Sequence, residues 1–370
     1  MKDKSNPDFG QRLLEARKLK GITAKTAAEQ VGVSPQAISL YENSQVIPQP
    51  AVFEKLVNLY EMPLEFYLKS PASEFHCSTV FYRKFGRATK AAREKAFIES
   101  KHVVQLVVGT IMTKIKFPDV DPLFMEIKES LAVNQNPLDV ETMARWIRKK
   151  WHLGYGPLNN LILELEKRGV VIILMDFSDD IDGFSYWANN RPYIFANRNN
   201  NFFRLRMSVA HELCHLFFHD GVDIEANLGA LEKEAKNFAS AFLAPNISFI
   251  EDVSSTSLQS LLSLKGKWKM SVAALVLRCE KLNLISEDRA LYLNKQISLK
   301  RWRKQEPFDS AFPPERPILL RQAVELLLQR NVFTTFSFKK EITLPQHFIE
   351  TACCLQSGLL DDNIRLVQQI

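Results

Sequence analysis

One short stretch restricts the chemistry of this chain more than any other, a His-Glu-x-x-His motif at residues 211–215. The motif lies inside an apolar run with helical spacing. Residues four apart share one face of a helix, so His211 and His215 can hold one metal ion together. Glu212 stands beside them, where a carboxylate can take a proton from a metal-bound water. The stretch therefore predicts a helix that carries a hydrolytic metal site.

The two histidines need a third ligand, because a catalytic zinc ion typically has three protein ligands and one open position. His219 is a poor choice, since its backbone lies about 12 Å along the helix from that of the first histidine; we expect it to be a supporting or core residue. A second helix over residues 231–245 offers Glu232 and Glu234, which both flank its apolar face. The extent of that face slightly favours Glu232, and both glutamates remain open.

Composition limits the class of protein. The 370 residues are enough for two or three domains, and 46% hydrophobic and 24% charged residues are ordinary for a soluble globular protein. We found neither a signal-peptide segment nor an apolar run of transmembrane length, which predicts a protein without a membrane partner. Five cysteines without a Cys-x-x-Cys pair favour a reducing cytoplasm and argue against a disulfide framework.

The N-terminal residues 9–68 are predicted to form five short helices. Thr23 can cap the second helix, Gly32 provides a tight turn, and Ser34 followed by Pro35 is a strong start signal for the third helix. Helix, short glycine-containing turn and helix is the helix-turn-helix arrangement.

The sequence from Ala28 to Pro48 resembles the phage-repressor (Cro/C1, or XRE) family of DNA-binding domains. The resemblance implies that the third helix enters the major groove of a double-stranded DNA operator, as a homodimer on a palindromic site. Gln36 is the best base-reading candidate, because its amide can bond adenine bidentately. Ser39, Leu40 and Asn43 are further candidates. Residues 1–70 contain nine basic and eight acidic residues, so their net positive charge offers little attraction for DNA phosphates. A helical dimerisation module that does not bind DNA is therefore the alternative.

Beyond the helix-turn-helix segment, the chain is predicted to change from helical to α+β. A linker over residues 71–135 contains a basic helix, Lys90–Lys116. A helix over Val140–Trp151 is expected to expose Arg148. The next segment has three strands, at 170–174, 183–187 and 192–196, with a turn of three residues, 189–191, between the last two. The last strand could form the sheet edge that binds substrate.

The residues around the metal motif resemble the ImmA/IrrE family of cytoplasmic metallopeptidases. The resemblance rests on residues 210–216 and on the run from Glu232 to Pro245, and extends over most of residues 9–308. It implies a zincin-like (gluzincin) fold, Glu232 as the third ligand beside His211 and His215, and Zn²⁺ as the cofactor, with Mn²⁺ as the alternative ion. Cys214 departs from the family pattern, which usually has glycine there.

Together these features predict a multidomain cytoplasmic protein: an all-α helix-turn-helix head (1–70), a helical linker (71–135), an α+β metallopeptidase domain (136–308) and a small helical C-terminal region (309–370). By resemblance, its substrate is a repressor-type protein, cleaved after a stress or phage signal. Self-cleavage near residues 70–90 is a further hypothesis. The competing class is a non-proteolytic transcription factor or antitoxin-like repressor whose metal domain acts as a sensor. For the residue that stabilises the oxyanion, the candidates are Tyr186, Tyr193 and His219.

Overall fold

The computed structural model describes residues 9–68, 75–78, 81–82, 88–133, 139–220, 222, 224–341 and 343–361. The chain forms two compact units. The first contains residues 1–76, 85–117 and 318–370, and the second contains residues 77–84 and 118–317. The predicted boundaries at 70–71 and 135–136 lie outside the described residues. Among the described residues, no helix is both long and apolar enough to cross a bilayer.

The first unit begins with the five predicted helices: α1 (Phe9–Lys20), α2 (Ala24–Val31), α3 (Pro35–Glu42), α4 (Pro50–Tyr60) and α5 (Leu64–Leu68). The hydroxyls of Thr23 and Ser34 accept hydrogen bonds from backbone N–H groups in the first turns of α2 and α3. Gly32 ends α2 in the left-handed conformation, with φ of 79°. The local chemistry read from the sequence therefore builds the helix-turn-helix.

Helix α6 (Lys90–Leu106) and a π-helical turn (Val107–Ile111) complete this unit together with three helices near the C-terminus. The α-helical part of the predicted 90–116 helix thus ends earlier than expected. The C-terminal helices are α16 (Leu319–Gln329), α17 (Thr335–Glu341) and α18 (Gln346–Ala352). Residues 85–117 of the predicted linker and residues 318–370 of the predicted C-terminal region are therefore grouped with the head, whereas residues 77–84, 118–135 and 309–317 belong to the second unit.

A buried ionic cluster joins α1 to α6. The Glu15 carboxylate lies 2.7 Å from Lys101 Nζ and 3.1 Å from His102 Nε2, and Arg12 lies beside it. Burial alone would raise the pKa of Glu15, but hydrogen bonds and charge interactions with His102 and Lys101 hold that pKa well below its usual range. The ionised carboxylate is thus a structural part of the contact between the head and α6.

The second unit contains a four-stranded sheet with the order β1 (Phe81–Tyr82), β3 (Gly183–Ala188), β4 (Arg191–Asn197) and β2 (Val171–Met175). Strand β4 runs parallel to β2 and antiparallel to β3. The expectation that residues 192–196 form a sheet edge is therefore wrong, because β4 is paired on both sides. The β3–β4 turn contains Asn189 and Asn190, both with positive φ, while Arg191 already belongs to β4.

The helices of the second unit surround this sheet. They are α7 (Leu123–Val133), α8 (Val140–Lys150), α9 (Leu161–Glu166), α10 (Phe202–Cys214), α11 (Ile224–Leu243), α12 (Asn246–Asp252), α13 (Leu258–Trp268), α14 (Val272–Lys281) and α15 (Glu287–Leu299). A π-helical turn, His215–His219, extends α10. Helix α10 packs on β3 and β4 on one side and on α11 on the other.

Arg148 is buried, although the helical pattern had placed it on the exposed side of α8. Its guanidinium donates to the carbonyl oxygens of Gly154 and Phe242, each at 2.7 Å. Phe242 belongs to the last turn of α11, where carbonyls lack partners within the helix. Arg148 thus stabilises the end of the helix that carries Glu232.

We predict that Glu15→Gln lowers the free energy of unfolding of the first unit by about 2–4 kcal/mol, because it leaves the buried Arg12 and the partly buried Lys101 without their counter-charge. Hydrogen exchange of α1 and α6 amides across a urea series measures this loss. Glu94→Gln is the matched control, since Glu94 joins Lys18 between the same two helices at 3.2 Å but both side chains are about one-third exposed. The control should cost less than about 1 kcal/mol. Equal losses would contradict the role assigned to the buried cluster.

Candidate metal centre

Helix α10 and its π-helical extension present both motif histidines to one point. Asn201 caps its N-terminus by accepting a hydrogen bond from the Arg204 N–H at 2.9 Å. His215 follows His211 by four residues on the same face, and the two Nε2 atoms lie 3.0 Å apart. Both imidazoles are buried. The predicted pairing of the two rings is therefore present in the structure.

Helix α11 brings Glu232 to the same point. Its Oε2 lies 3.5 Å from His211 Nε2, and its Oε1 lies 3.5 Å from His215 Nε2. Glu234 instead points to His219, at 3.6 Å, and is more exposed. Of the two open glutamates, only Glu232 therefore joins the motif histidines. Within the part of the chain that the structure describes, these three residues form the one group of three His, Cys, Asp or Glu side chains able to hold a metal ion.

The donor set fits a zinc ion. Nitrogen and oxygen ligands bind zinc at about 2.0–2.1 Å in a tetrahedral arrangement, so two such ligands lie about 3.3–3.4 Å from each other. The two histidine nitrogens lie 3.0 Å apart, and each lies 3.5 Å from a different oxygen of Glu232, which is close to that spacing. Burial would raise the pKa of Glu232, but hydrogen bonds and charge interactions with the two histidines hold that pKa well below its usual range. The carboxylate is thus ionised, as a metal ligand must be.

The position of Glu212 depends on a residue that the motif does not reveal. Glu212 is fully buried, and its Oε2 accepts a hydrogen bond from Ser185 Oγ at 2.8 Å. Ser185 belongs to β3, where alternation places it on one face with Trp187. The alternating pattern was visible in the sequence, but it did not say which face of the strand meets the metal helix.

His219 supports the site from behind. Its Nδ1 lies 2.8 Å from Nδ1 of His215, on the side of that ring that faces away from Glu232. A metal-binding histidine usually has its second nitrogen held by a hydrogen-bond partner that orients the ring. The structure therefore places His219 as a supporting residue, as the helical distance argument expected.

Tyr186 and Tyr193 lie on the other side of the sheet. Because Ser185 points toward Glu212, the neighbouring Tyr186 points away from it, and Tyr193 is its cross-strand partner. Their rings join an aromatic cluster with Phe184 and Phe195. Neither tyrosine can therefore stabilise an oxyanion at this centre. His219 does not take that role in its observed position either, since it contacts the back of His215.

Cys214 packs inside the fold, next to the first residue of the π-helical turn. Burial raises the pKa of its thiol, and the charges of Glu234, Glu212 and Glu232 raise it further. A thiol held in its protonated form is a weak metal ligand. Cys214 is therefore a packing residue where the structure places it.

The predicted DNA-reading residues form one exposed face of the third helix. Gln36, Ser39, Leu40 and Asn43 are all exposed, while Ile38 is buried on the opposite side. Asn43 Nδ2 donates to the Ser39 carbonyl oxygen at 2.9 Å, so its amide is partly engaged. Gln36 lies in the first turn, where side chains of a recognition helix usually reach base edges.

Comparison with known proteins agrees with this geometry. A helix-turn-helix family model matches residues 13–67, and a peptidase family model described as an IrrE N-terminal-like domain matches residues 165–280. This chain joins a helix-turn-helix domain to an IrrE N-terminal-like domain. The resemblance drawn from the sequence is therefore confirmed, and the second match spans all four residues of the candidate centre. A search of curated proteins found no significant match.

We predict that His219→Ala weakens metal binding at the candidate centre about 10- to 100-fold, because His215 loses the partner that orients its ring. Competition with a fluorescent chelator measures the dissociation constant. His219→Asn should recover part of the affinity, since its amide can replace Nδ1. Glu234→Gln, which changes only the exposed contact to His219, should stay within about threefold. Equal affinity in all four proteins would exclude the supporting role.

Proposed function

We propose that this protein is a DNA-binding transcriptional regulator with a zinc-dependent endopeptidase site. The convergence of His211, His215 and Glu232, with Glu212 beside them, carries the proposal. The α+β unit, with its motif helix on the sheet and its third ligand on the next helix, supports a zincin-like (gluzincin) fold over residues 136–308. Manganese is the second candidate ion.

The catalytic roles follow from the positions of the side chains. His211, His215 and Glu232 would hold the ion, which when bound activates water and polarises the scissile carbonyl. Glu212 would take the proton from that water at its carboxylate and pass it to the nitrogen of the leaving amine. Ser185 holds the carboxylate of Glu212 in one orientation through its 2.8 Å hydrogen bond. Burial of these groups excludes bulk water and strengthens each electrostatic contact.

The head would bring this site to DNA. The exposed face of α3, formed by Gln36, Ser39, Leu40 and Asn43, supports binding to a double-stranded operator as a homodimer. The substrate class we propose is a repressor-type protein, cleaved after a stress or phage signal. Such a protein would resemble the head of this chain, so the chain itself is a second candidate substrate.

A second function is favoured by one observation at the sheet. The chain's own residues 77–78 and 81–82 pair with the outer edge of β3, next to the candidate centre. Because the chain itself fills this edge, a substrate strand cannot bind there in this arrangement. This favours a non-proteolytic or antitoxin-like repressor whose metal domain acts only as a sensor. Activity measurements separate the two functions.

We predict that Glu212→Gln lowers cleavage of a repressor-type helix-turn-helix protein, or of the chain itself, by about 10²- to 10⁴-fold, because the general base is lost. Zinc affinity should change little, since Glu212 is not a ligand and glutamine can still accept from Ser185. Gel analysis of zinc-loaded protein measures cleavage, and Glu234→Gln is the matched control. Zinc-loaded wild type that cleaves none of these proteins would favour the sensor.

We predict that Gln36→Ala weakens operator binding about 10- to 100-fold, because one bidentate base contact is lost. Footprinting and gel shift at fixed salt measure the effect. Gln30→Ala is the control, because Gln30 is also exposed but lies on α2. If neither variant changes DNA binding, Gln36 does not read a base.

A further inference from the structure

The outer edge of β3 lies beside the candidate centre. Two side chains on one face of β3 contact the motif helix and its extension: Ser185 bonds Glu212, and Trp187 Nε1 donates to the carbonyl oxygen of Leu216 at 3.1 Å. A peptide that added to this edge would therefore run past the residues proposed to cleave it.

The chain itself occupies this edge. Phe81 and Tyr82 pair antiparallel with Ser185 and Phe184, and the backbone of Cys77 forms a bridge with Ala188. The Ser78 N–H donates to the carbonyl oxygen of Trp187 at 2.8 Å, and Ser78 Oγ accepts from the Trp187 N–H at 3.1 Å. Phe81 therefore stands opposite Ser185, the residue that holds Glu212.

An extended peptide offers the same backbone N–H and C=O groups as residues 77–78 and 81–82. Such a peptide could therefore replace their pairing with β3.

We infer that residues 77–78 and 81–82 act as an internal competitor, which holds the peptide-binding edge of β3 closed until an extended substrate strand displaces them. The inference rests on the proposed peptidase function of the centre. It adds a regulatory role for a segment that lies between α5 and α6 in the sequence.

The inference can be tested by opening and locking the edge in the full chain. Ser78→Pro removes the N–H that donates to Trp187 and should open the edge. Ser78→Ala keeps this N–H and should have a smaller effect. Ala188→Cys should lock it, because paired antiparallel residues lie at a distance that a disulfide with Cys77 can span. Reduction of that disulfide should reverse the lock, which makes the same protein its own control.

Binding of a fluorescent peptide that copies residues 75–84 gives a readout that does not depend on catalysis. All proteins carry Glu212→Gln, so that no peptide is cleaved. Ser78→Pro should bind the peptide about tenfold more tightly than the parent, and oxidised Ala188→Cys should bind it at least about tenfold more weakly. Equal binding to the open, parent and locked proteins would overturn the inference, and so would binding to the locked form alone.

The same variants with Glu212 intact separate this inference from the proposed function. Repressor cleavage that is faster in Ser78→Pro and slower in oxidised Ala188→Cys supports both. If cleavage requires Glu212 but is equal in the two variants, the proposed peptidase function is supported and the inference of an internal competitor is wrong. If the peptide binds in the expected order but no protein cleaves the repressor, the chain's own segment does compete for the edge and the proposed peptidase function is wrong.

Discussion

The contact between α10 and α11 brings the three candidate metal ligands of the second unit together. His211 and His215 face one point because one helical turn separates them, but Glu232 reaches that point only because α11 lies close against α10. The close approach is made by the inner face of α11, where small side chains alternate with large rings, all fully buried: Ala235, Phe238, Ala239 and Phe242. A shift of about an ångström along this contact would move the carboxylate out of reach of an ion held by the two histidines.

Buried cations hold the parts of the second unit that frame this contact. Arg148 joins α8 to the end of α11, and Arg278 on α14 bonds Glu141 on α8 bidentately, with both distances at 2.6 Å. Arg206 on α10 pairs with Glu315. Burial lowers the pKa of Arg206, and the Glu315 charge offsets part of that effect. Each contact joins segments that are far apart in sequence. Loss of Glu141 or Glu315 would therefore leave a buried guanidinium without its counter-charge next to the helices of the candidate centre.

Sequence reasoning succeeded where the physics is local. Helix spacing placed His211 beside His215, and the caps at Thr23 and Ser34 with the turn at Gly32 defined the helix-turn-helix. It failed where the answer depends on the packing of distant segments. Whether β4 lies inside the sheet, which face of β3 carries Ser185 to Glu212, and whether Arg148 is solvated are all decided by partners that no local pattern names. Charged residues at helical spacing predict a solvent-exposed face. This prediction fails where backbone carbonyl oxygens of another segment need hydrogen-bond donors, as at the end of α11.

The occupied edge of β3 would make the proposed peptidase selective. A tethered segment competes at an effective concentration near the millimolar range, so residues 77–78 and 81–82 would exclude free peptides of low affinity from this edge. A substrate would have to supply more binding free energy than the internal pairing. By linkage, any ligand that holds residues 77–78 and 81–82 in another arrangement would favour the open edge to the same extent.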